Sequence, residues 1–426
     1  MSIEGREMKD SGVEWLGEIP ADWDVESLKW VFLERNTKAS LGDVHLTPSQ
    51  KYGTLPQEDY IKVSGSRPVL ALSESANFKS VKTGDFISHL RSFQGGLEIT
   101  RYDGKMSSAY SAISPTNLTH SEYYKYVFKS DLFIQLLNST TAQMRDGQSI
   151  RWPILKNLRI PLPPLSTQRR IAAFLDERTA NIDALVAELS GFSETLKLQR
   201  KALINECVTK GVPGERNREM KDSGVEWLGE IPAGWHLEKL KTLFSNHSEM
   251  ADPADIHLTP SRKYGTLPQA DYIEISGMRP QLVLSQDAKF KKVAYGDFIS
   301  HLGSHQGGLE ISYYEGKMSQ AYTAITPLEK VRGEFFKYLF KCESFIHLLD
   351  STTSQLRNGQ SIRWKDLRNV SLPLPPLAEQ SKIASFLDDQ CGRIDELLSE
   401  INTQINLLRQ YRKSLISEAV TGKIEV

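Results

Sequence analysis

The chain is written twice. REMKDSGVEWLGEIPADW at Arg6–Trp23 returns at Arg218–Trp235 as REMKDSGVEWLGEIPAGW, and the offset of 212 holds without a gap to the C-terminus. KYGTLPQ recurs from Lys51 at Lys263, GDFISHL from Gly84 at Gly296, GQSIRW from Gly147 at Gly359 and PLPPL from Pro161 at Pro373. Between Asp24 and Leu165, 83 of 142 positions equal their partners. A period this long exceeds any solenoid repeat and corresponds to a whole domain plus its connector. Two such modules imply an internal pseudo-two-fold symmetry, the single-chain counterpart of a homodimer.

Each module has two parts. In residues 24–160, YIKVSG, DFISHL, LEITRY and AYSAISP read as strands, separated by turns such as Asp103-Gly104. Tyr123–Leu137 has helical periodicity. The expected fold is a compact α/β (α+β) globule. PLPPL cannot continue a helix and marks a change of pattern. Beyond it Ile171, Leu175, Ile182, Leu185, Leu189, Phe192, Leu196 and Leu203 follow alternating steps of four and three, with Arg178 and Gln199 filling the seam. Ile383, Leu387, Ile394, Leu397, Ile401, Leu408, Tyr411 and Leu415 repeat this, with Gln390 and Gln404 on the seam. A heptad stripe sustained over about forty residues makes roughly 60 Å of helix. Two matching stripes predict an antiparallel coiled coil; a core helix of a larger domain is the plainer alternative.

The chemistry is notable for what it lacks. No G-x-x-x-x-G-K-[ST] phosphate loop, H-E-x-x-H, G-x-S-x-G or strand-linked G-x-G-x-x-G occurs. The cofactor loop and Asn/Asp-Pro-Pro-aromatic motif of an amino-methyltransferase are also absent. Cys207, Cys342 and Cys391 are far apart and align with Ala419, Ser130 and Thr179, which argues against a disulfide or a zinc site. Neither cofactor nor metal is expected. Asp85 followed by Asp103-Gly104-Lys105, and Asp297 followed by Glu315-Gly316-Lys317, resemble a Mg²⁺-dependent nuclease site. Hairpin turns at Tyr-Asp-Gly-Lys and Tyr-Glu-Gly-Lys are the plainer account. His45, His89, His257 and His301 lack a second ligand at metal spacing and read as structural. The polar N-terminus and the absence of an apolar run of about 18 residues predict a cytoplasmic protein without a membrane span.

Nucleic acid is better signalled. The net charge is −1, so a phosphate-binding surface must be a local patch. Residues 143–170 carry Arg145, Arg151, Lys156, Arg159, Arg169 and Arg170 against Asp146 alone. Residues 355–382 carry Arg357, Arg363, Lys365, Arg368 and Lys382 against Asp366 and Glu379. Gln148 and Ser149, with their partners Gln360 and Ser361, add hydrogen-bonding groups beside these cations. The loop Arg91-Ser92-Phe93-Gln94 offers Arg for guanine and Gln for adenine. In the second copy Ser304, His305 and Gln306 follow Gly303. Arg91 against Gly303 and Phe93 against His305 are exchanges that a packed core would not tolerate, so these positions are expected to face solvent or DNA.

The chain resembles the specificity subunit of a type I restriction-modification system. The likeness rests on the duplicated SGVEWLGEIP segment, GDFISHLRSFQGG, and PLPPLSTQRRIAAFLDERTANID with its partner PLPPLAEQSKIASFLDDQCGRID. It implies two target-recognition domains separated by two long conserved helices. The resemblance divides the chain into 1–160 (recognition domain 1, with segment 6–23), 161–213 (junction and helix), 214–372 (recognition domain 2, with segment 218–235) and 373–426 (junction and helix). It also implies double-stranded DNA, two adenine-methyltransferase subunits and restriction subunits as partners, with no chemistry in this chain. One departure is that the two recognition domains are close relatives here.

If the helices set the spacing of two half-sites, the reading heads stand about one to two duplex turns apart. Inserting four residues into one helix rotates the seam as well as lengthening it. The recognised spacer should then change, or binding should be lost, in a methylation-motif assay. An unchanged spacer would leave the helices as mere glue.

Overall fold

The computed structural model describes residues 6–40, 42–67, 78–89, 92–140, 150–214, 218–280, 289–301, 304–352 and 362–426. The chain forms two compact units: Met1–Ser190 with Thr403–Val426, and Gly191–Asn402. Among the described residues no helix is long and apolar enough to cross a membrane.

Unit 1 is built around an antiparallel sheet in the order Phe32–Glu34, Ser111–Pro115, Phe86–Ser88, Glu98–Ile99. Phe32, Phe86, Tyr124, Phe128 and Phe133 interlock beneath it, mostly edge-to-face. A satellite core of Leu46, Val81, Ile87, Met106 and Ala112 lies on the other side. Asp24–Ser27, leading in, pairs with Arg159–Leu162, leading out, so the globule closes on itself before the prolines. Gln168 then locks the junction. Its Nε2 donates to Pro163 O at 2.9 Å and Leu118 O at 3.0 Å, while Oε1 accepts the His120 N–H at 2.8 Å. Unit 2 repeats each of these elements 212 residues on. Its sheet runs Phe244–His247, Thr323–Pro327, Phe298–Ser300, Glu310–Ile311, and Gln380 takes the role of Gln168.

Two local expectations are corrected. YIKVSG is not a strand: Tyr60–Ser64 lies in the helix Gln57–Ser64, opened by Pro56, favoured by Glu58 and Asp59 in its first turn, and ended at Gly65. The alternating β-branched residues imitated a strand. Tyr123–Leu137 is two helices, Ser121–Val127 and Asp131–Thr140. The break is capped by Ser130, whose hydroxyl donates to Val127 O at 2.7 Å and accepts from the Phe133 N–H.

The heptad stripes become the helices Leu165–Lys210 and Leu377–Val420. Within each unit the segments run antiparallel. In unit 1, Tyr126 OH reaches Asp176 and Thr179 while Tyr123 OH donates to Val420 O, and further along Arg412 Nη2 donates to Asp183 Oδ2 at 3.0 Å. In unit 2, Arg200 Nη2 donates to Asp395 Oδ2 at 3.0 Å. These ion pairs are the same contact under the 212 offset.

The seam itself differs from the expected one at every second position. Of the expected positions Ile171, Leu175, Ile182, Ile383, Leu387 and Ile401 are buried, and Leu189 and Ile394 half-buried. Leu185 and Leu397, however, each keep 43% of their surface exposed, and Phe192 and Tyr411 are also exposed. Their places are taken by the next residues along, Val186, Leu398, Ser193 and Arg412, with Thr179, Cys207, Cys391, Ile405 and Ala419 completing the series. Hydrophobicity alone favoured Leu185 and Phe192. Most of these alternate layers carry small or medium residues, Thr179, Val186, Ser193, Cys207, Cys391 and Ala419, in place of the large apolar side chains that hydrophobic spacing selects. Cys207 and Cys391 follow from this register, whereas Cys342 belongs to the core of the second globule. All three thiols are free and buried, and burial pushes those of Cys207 and Cys342 up to about 12.

Leu175→Ala should cost about 2–5 kcal/mol of stability, and Leu185→Ala no more than about 0.5 kcal/mol. Denaturant unfolding of the two variants checks the seam; the reverse order would restore the apolar-count register.

Candidate nucleic-acid interface

The glycine turn after His89 is a rigid platform in each unit. Ser92–Gly95 forms one helical turn. The buried Ser92 hydroxyl accepts the His89 N–H, and Gly96 N–H returns to Ser92 O, both at 2.8 Å. Gly96 sits at φ +75, and a Cβ there would stand 1.8 Å from Phe128 O, so only glycine fits. Beneath the turn, buried Glu98 is paired with Lys129 and lies 3.7 Å from His89 Nε2. Unit 2 repeats the platform with Ser304, Gly308, Glu310 and Lys341.

Not every expected reader is presented on this platform. Ser92 and Ser304 are fully buried as turn caps, so packing and hydrogen bonding account for both. Gln94 is exposed, and its carbonyl accepts from Gln50 Nε2 at 3.3 Å. Arg91, Gly303, Arg145, Gln148, Ser149, Arg357, Gln360 and Ser361 lie outside the described residues, as do the side chains of Phe93, His305 and Gln306.

The GQSIRW segment ends firmly in the fold. Ile150 is buried and its carbonyl accepts the Ser88 hydroxyl at 2.7 Å, while Trp152 N–H donates to Ser111 Oγ at 3.1 Å. This anchors Arg151 at the N-cap of Trp152–Leu155, pointing its backbone into extended geometry. Arg363 occupies the same place before Trp364–Leu367. Arg151, Arg159, Arg169 and Arg170 are exposed, and among the described residues none of them forms an ion pair; the same holds for Arg363, Lys365 and Arg368. Elsewhere in unit 1, Arg35, Lys82, Arg101, Lys125 and Lys129 are each matched to a carboxylate. Cations left without acids suit phosphate contacts.

Three of the nuclease-like carboxylates, Asp85, Asp103 and Asp297, are occupied. Asp85 is buried against Arg35, accepting from Nη2 at 3.0 Å and from the Lys82 N–H at 2.8 Å. In unit 2, His247 replaces Arg35: its Nδ1 lies 2.6 Å from Asp297 Oδ2, while Thr326 Oγ1 donates to Oδ1 at 2.7 Å. Asp103 accepts from the Thr83 N–H and hydroxyl and from Lys82. The Thr83 N–H, then Lys82, hold its carboxyl down to about 2. Lys105 lies over Phe78, and Lys317 over Phe290. The Asp103-Gly104 turn is not a hairpin either, because Glu98–Ile99 pairs with Phe86–Ser88 and Gly104–Ser107 with Phe78–Val81. His45 packs edge-on to Phe78, and burial followed by Lys105 lowers its imidazole below the usual value.

The two-fold repeat, the helix pair and the paired platforms define a modular DNA-specificity architecture. The profile of the type I restriction modification DNA specificity domain matches residues 20–189 and 232–407, and the chain belongs to that family. A protein of Methanocaldococcus jannaschii named for the specificity subunit of the MjaX type I restriction enzyme is 23% identical, over 96% of both chains. The EcoDI specificity subunit of Escherichia coli is also 23% identical, over 96% of this chain and 90% of its own. In fold, a chain from a structure of a type I R-M system, solved for its complex assembly and conformational transition, superposes with a TM-score of 0.69 at 16% identity. That match covers 95% of this chain and 99% of the other.

Sequence reading missed Gln50 and Gln168. Gln50 lies 44 residues from the turn it touches, so no local pattern joins them. Gln168 is visible only as a polar residue shared by PLPPLSTQ and PLPPLAEQ.

Asp103 titrates below its unfolded value of about 4. The stability it adds is therefore present above pH 4 and is lost as pH falls toward 2. Asp103→Ala should remove that part of the acid-unfolding profile and leave the methylated motif of the complete complex unchanged. Loss of the motif in a folded variant would reinstate a functional role for this carboxylate.

Proposed function

We propose that this chain is the sequence-reading subunit of a type I restriction-modification complex. Each unit reads one half of an interrupted target in duplex DNA. The chain docks two adenine-methylating subunits, and restriction subunits join them for cleavage. The observation that carries the reading is the match of both repeats to one DNA-specificity family, in relatives of nearly the same length.

If the repeats address opposite strands of the duplex, as their internal pseudo-two-fold symmetry implies, similar units meet those strands with the same surface. The half-sites should therefore be inverted copies, apart from bases touched where the repeats differ. Arg91, Phe93, Gln94, Arg145, Gln148, Ser149 and Arg151 form the proposed reading and anchoring set of the first half. His305, Gln306, Arg357, Gln360, Ser361 and Arg363 form that of the second. The exposed, unpaired arginines at 151 and 363 support this placement. The chain performs no chemistry of its own in this reading and works in the cytoplasm, within the domain limits 1–160, 161–213, 214–372 and 373–426. Carboxylates tied into ion pairs and turns favour it over a stand-alone nuclease.

The purified chain should bind duplex DNA but neither methylate nor cut it. Cells that lose this gene should lose one interrupted adenine-methylation motif, seen by genome-wide mapping. Methyl transfer from S-adenosylmethionine by the chain alone would sink the assignment.

A further inference from the structure

The two platforms are overlaid by one side chain that differs between them. Gln50, at the tip of the hairpin Leu46–Ser49/Gly53–Pro56, folds down over the first turn. A Cβ on Gly95 would stand 2.5 Å from Gln50 Cγ and 2.8 Å from its Nε2. In unit 2 a Cβ on Gly307 would stand 2.5 Å from Cδ of Arg262 and 2.6 Å from its Cγ. Both side chains are nonetheless solvent-exposed. The missing β-carbon at each glycine leaves room for the side chain to lie flat on the turn.

The frame around this position is invariant. From His45 to Gln57, and from His257 to Gln269, the copies differ at position 50/262 alone. The hairpin is otherwise identical in the two units and the turn beneath it differs only where Phe93 meets His305, so the backbone frame does not dictate the exchange. The chemistry of the exchange is specific. A glutamine carboxamide, one donor beside one acceptor, matches the N6/N7 edge of adenine; a guanidinium, two donors, matches O6/N7 of guanine. A neutral glutamine can donate to a phosphate oxygen but brings no charge, so the exchange does not conserve an ionic phosphate anchor.

Arg262 also stands apart from its cationic neighbours. It borders a cavity of about 470 Å³ with Gly307, Lys337 and Lys341. Lys341 is held by Glu310 and Lys337 by Asp388, whereas Arg262 has no ion-pair partner among the described residues. Arg262 thus lies over the turn through its aliphatic stem, and its guanidinium, unpaired with the Glu310 and Glu343 that line the same cavity, is left for an external acceptor.

We propose that position 50/262 is a base-reading position, with Gln50 addressing an adenine in one half-site and Arg262 a guanine in the other. This rests on the reading of the units as DNA-recognition domains.

The test uses the full chain in complex with its methyltransferase subunits. Gln50→Arg should shift one position of one half of the methylated motif from adenine toward guanine, by about 10- to 100-fold in preference, and leave the other half untouched. Arg262→Gln should do the converse in the other half. Arg262→Lys, which keeps the charge but loses the fork, should relax the guanine preference without loss of binding, and it decides the matter if either other variant fails to fold. Methylation that persists with both half-sites unchanged overturns the proposal. So does an Arg262→Gln variant that weakens binding equally on all sequences while reducing the salt slope by about one, the signature of a phosphate contact. A wild-type complex that methylates no interrupted motif would instead overturn the parent reading.

Discussion

Unit 1 cannot close its core with the residues of its own repeat. Leu415, Ile416, Ala419 and Val420 are buried among the side chains of the first recognition domain, and the Tyr123 hydroxyl reaches Val420 O across 297 residues of sequence. Leu415, Ile416 and Val420 each contribute about 1.5–3 kcal/mol when fully buried. Ile204, Cys207 and Val208 serve unit 2 in the same way. The folding unit is therefore not the repeat as spelled but a globule joined to half of each long helix. Everything else depends on that exchange. The helix seam needs both ends anchored, and the domains need the helix ends as part of their cores.

Rigidity passes from this core to the surface through few contacts. Gln168 and Gln380 each use both amide protons and the carbonyl oxygen at the proline junctions, which fixes where each helix leaves its globule. The part-buried pairs Glu98–Lys129 and Glu310–Lys341 lie beneath the glycine turns. A reader mounted on such a platform loses little further entropy on binding. The units differ where a scaffold can afford it. Arg35 and His247 serve the same buried aspartate position with different chemistry.

Much of this was legible in the sequence because duplication acts as an internal control. The repeat set the architecture, PLPPL set the junction, and the heptads set the helices. YIKVSG misled because its alternation of apolar residues satisfies a strand as well as a helix, and only Pro56 and Gly65 at its ends distinguish the two. The seam was misplaced at Leu185 and Phe192 because hydrophobic spacing selects large apolar side chains, whereas most of the alternate layers carry small or medium ones. Gln50 and Arg262 escaped notice for a different reason. Their neighbours in space are distant in sequence, and the signal that could have found them was a single difference inside an otherwise identical block.

The 212-residue register also bears on the gene. Two long, similar coding stretches in tandem favour unequal exchange, and any exchange at matched positions removes or adds one whole period in frame. The product of a loss keeps one globule, one proline junction and one continuous helix. That helix still presents both kinds of surface, the stretch that fills its own unit and the stretch that fills the other. The duplication thus turns a recombination accident into a change of modules rather than a broken protein.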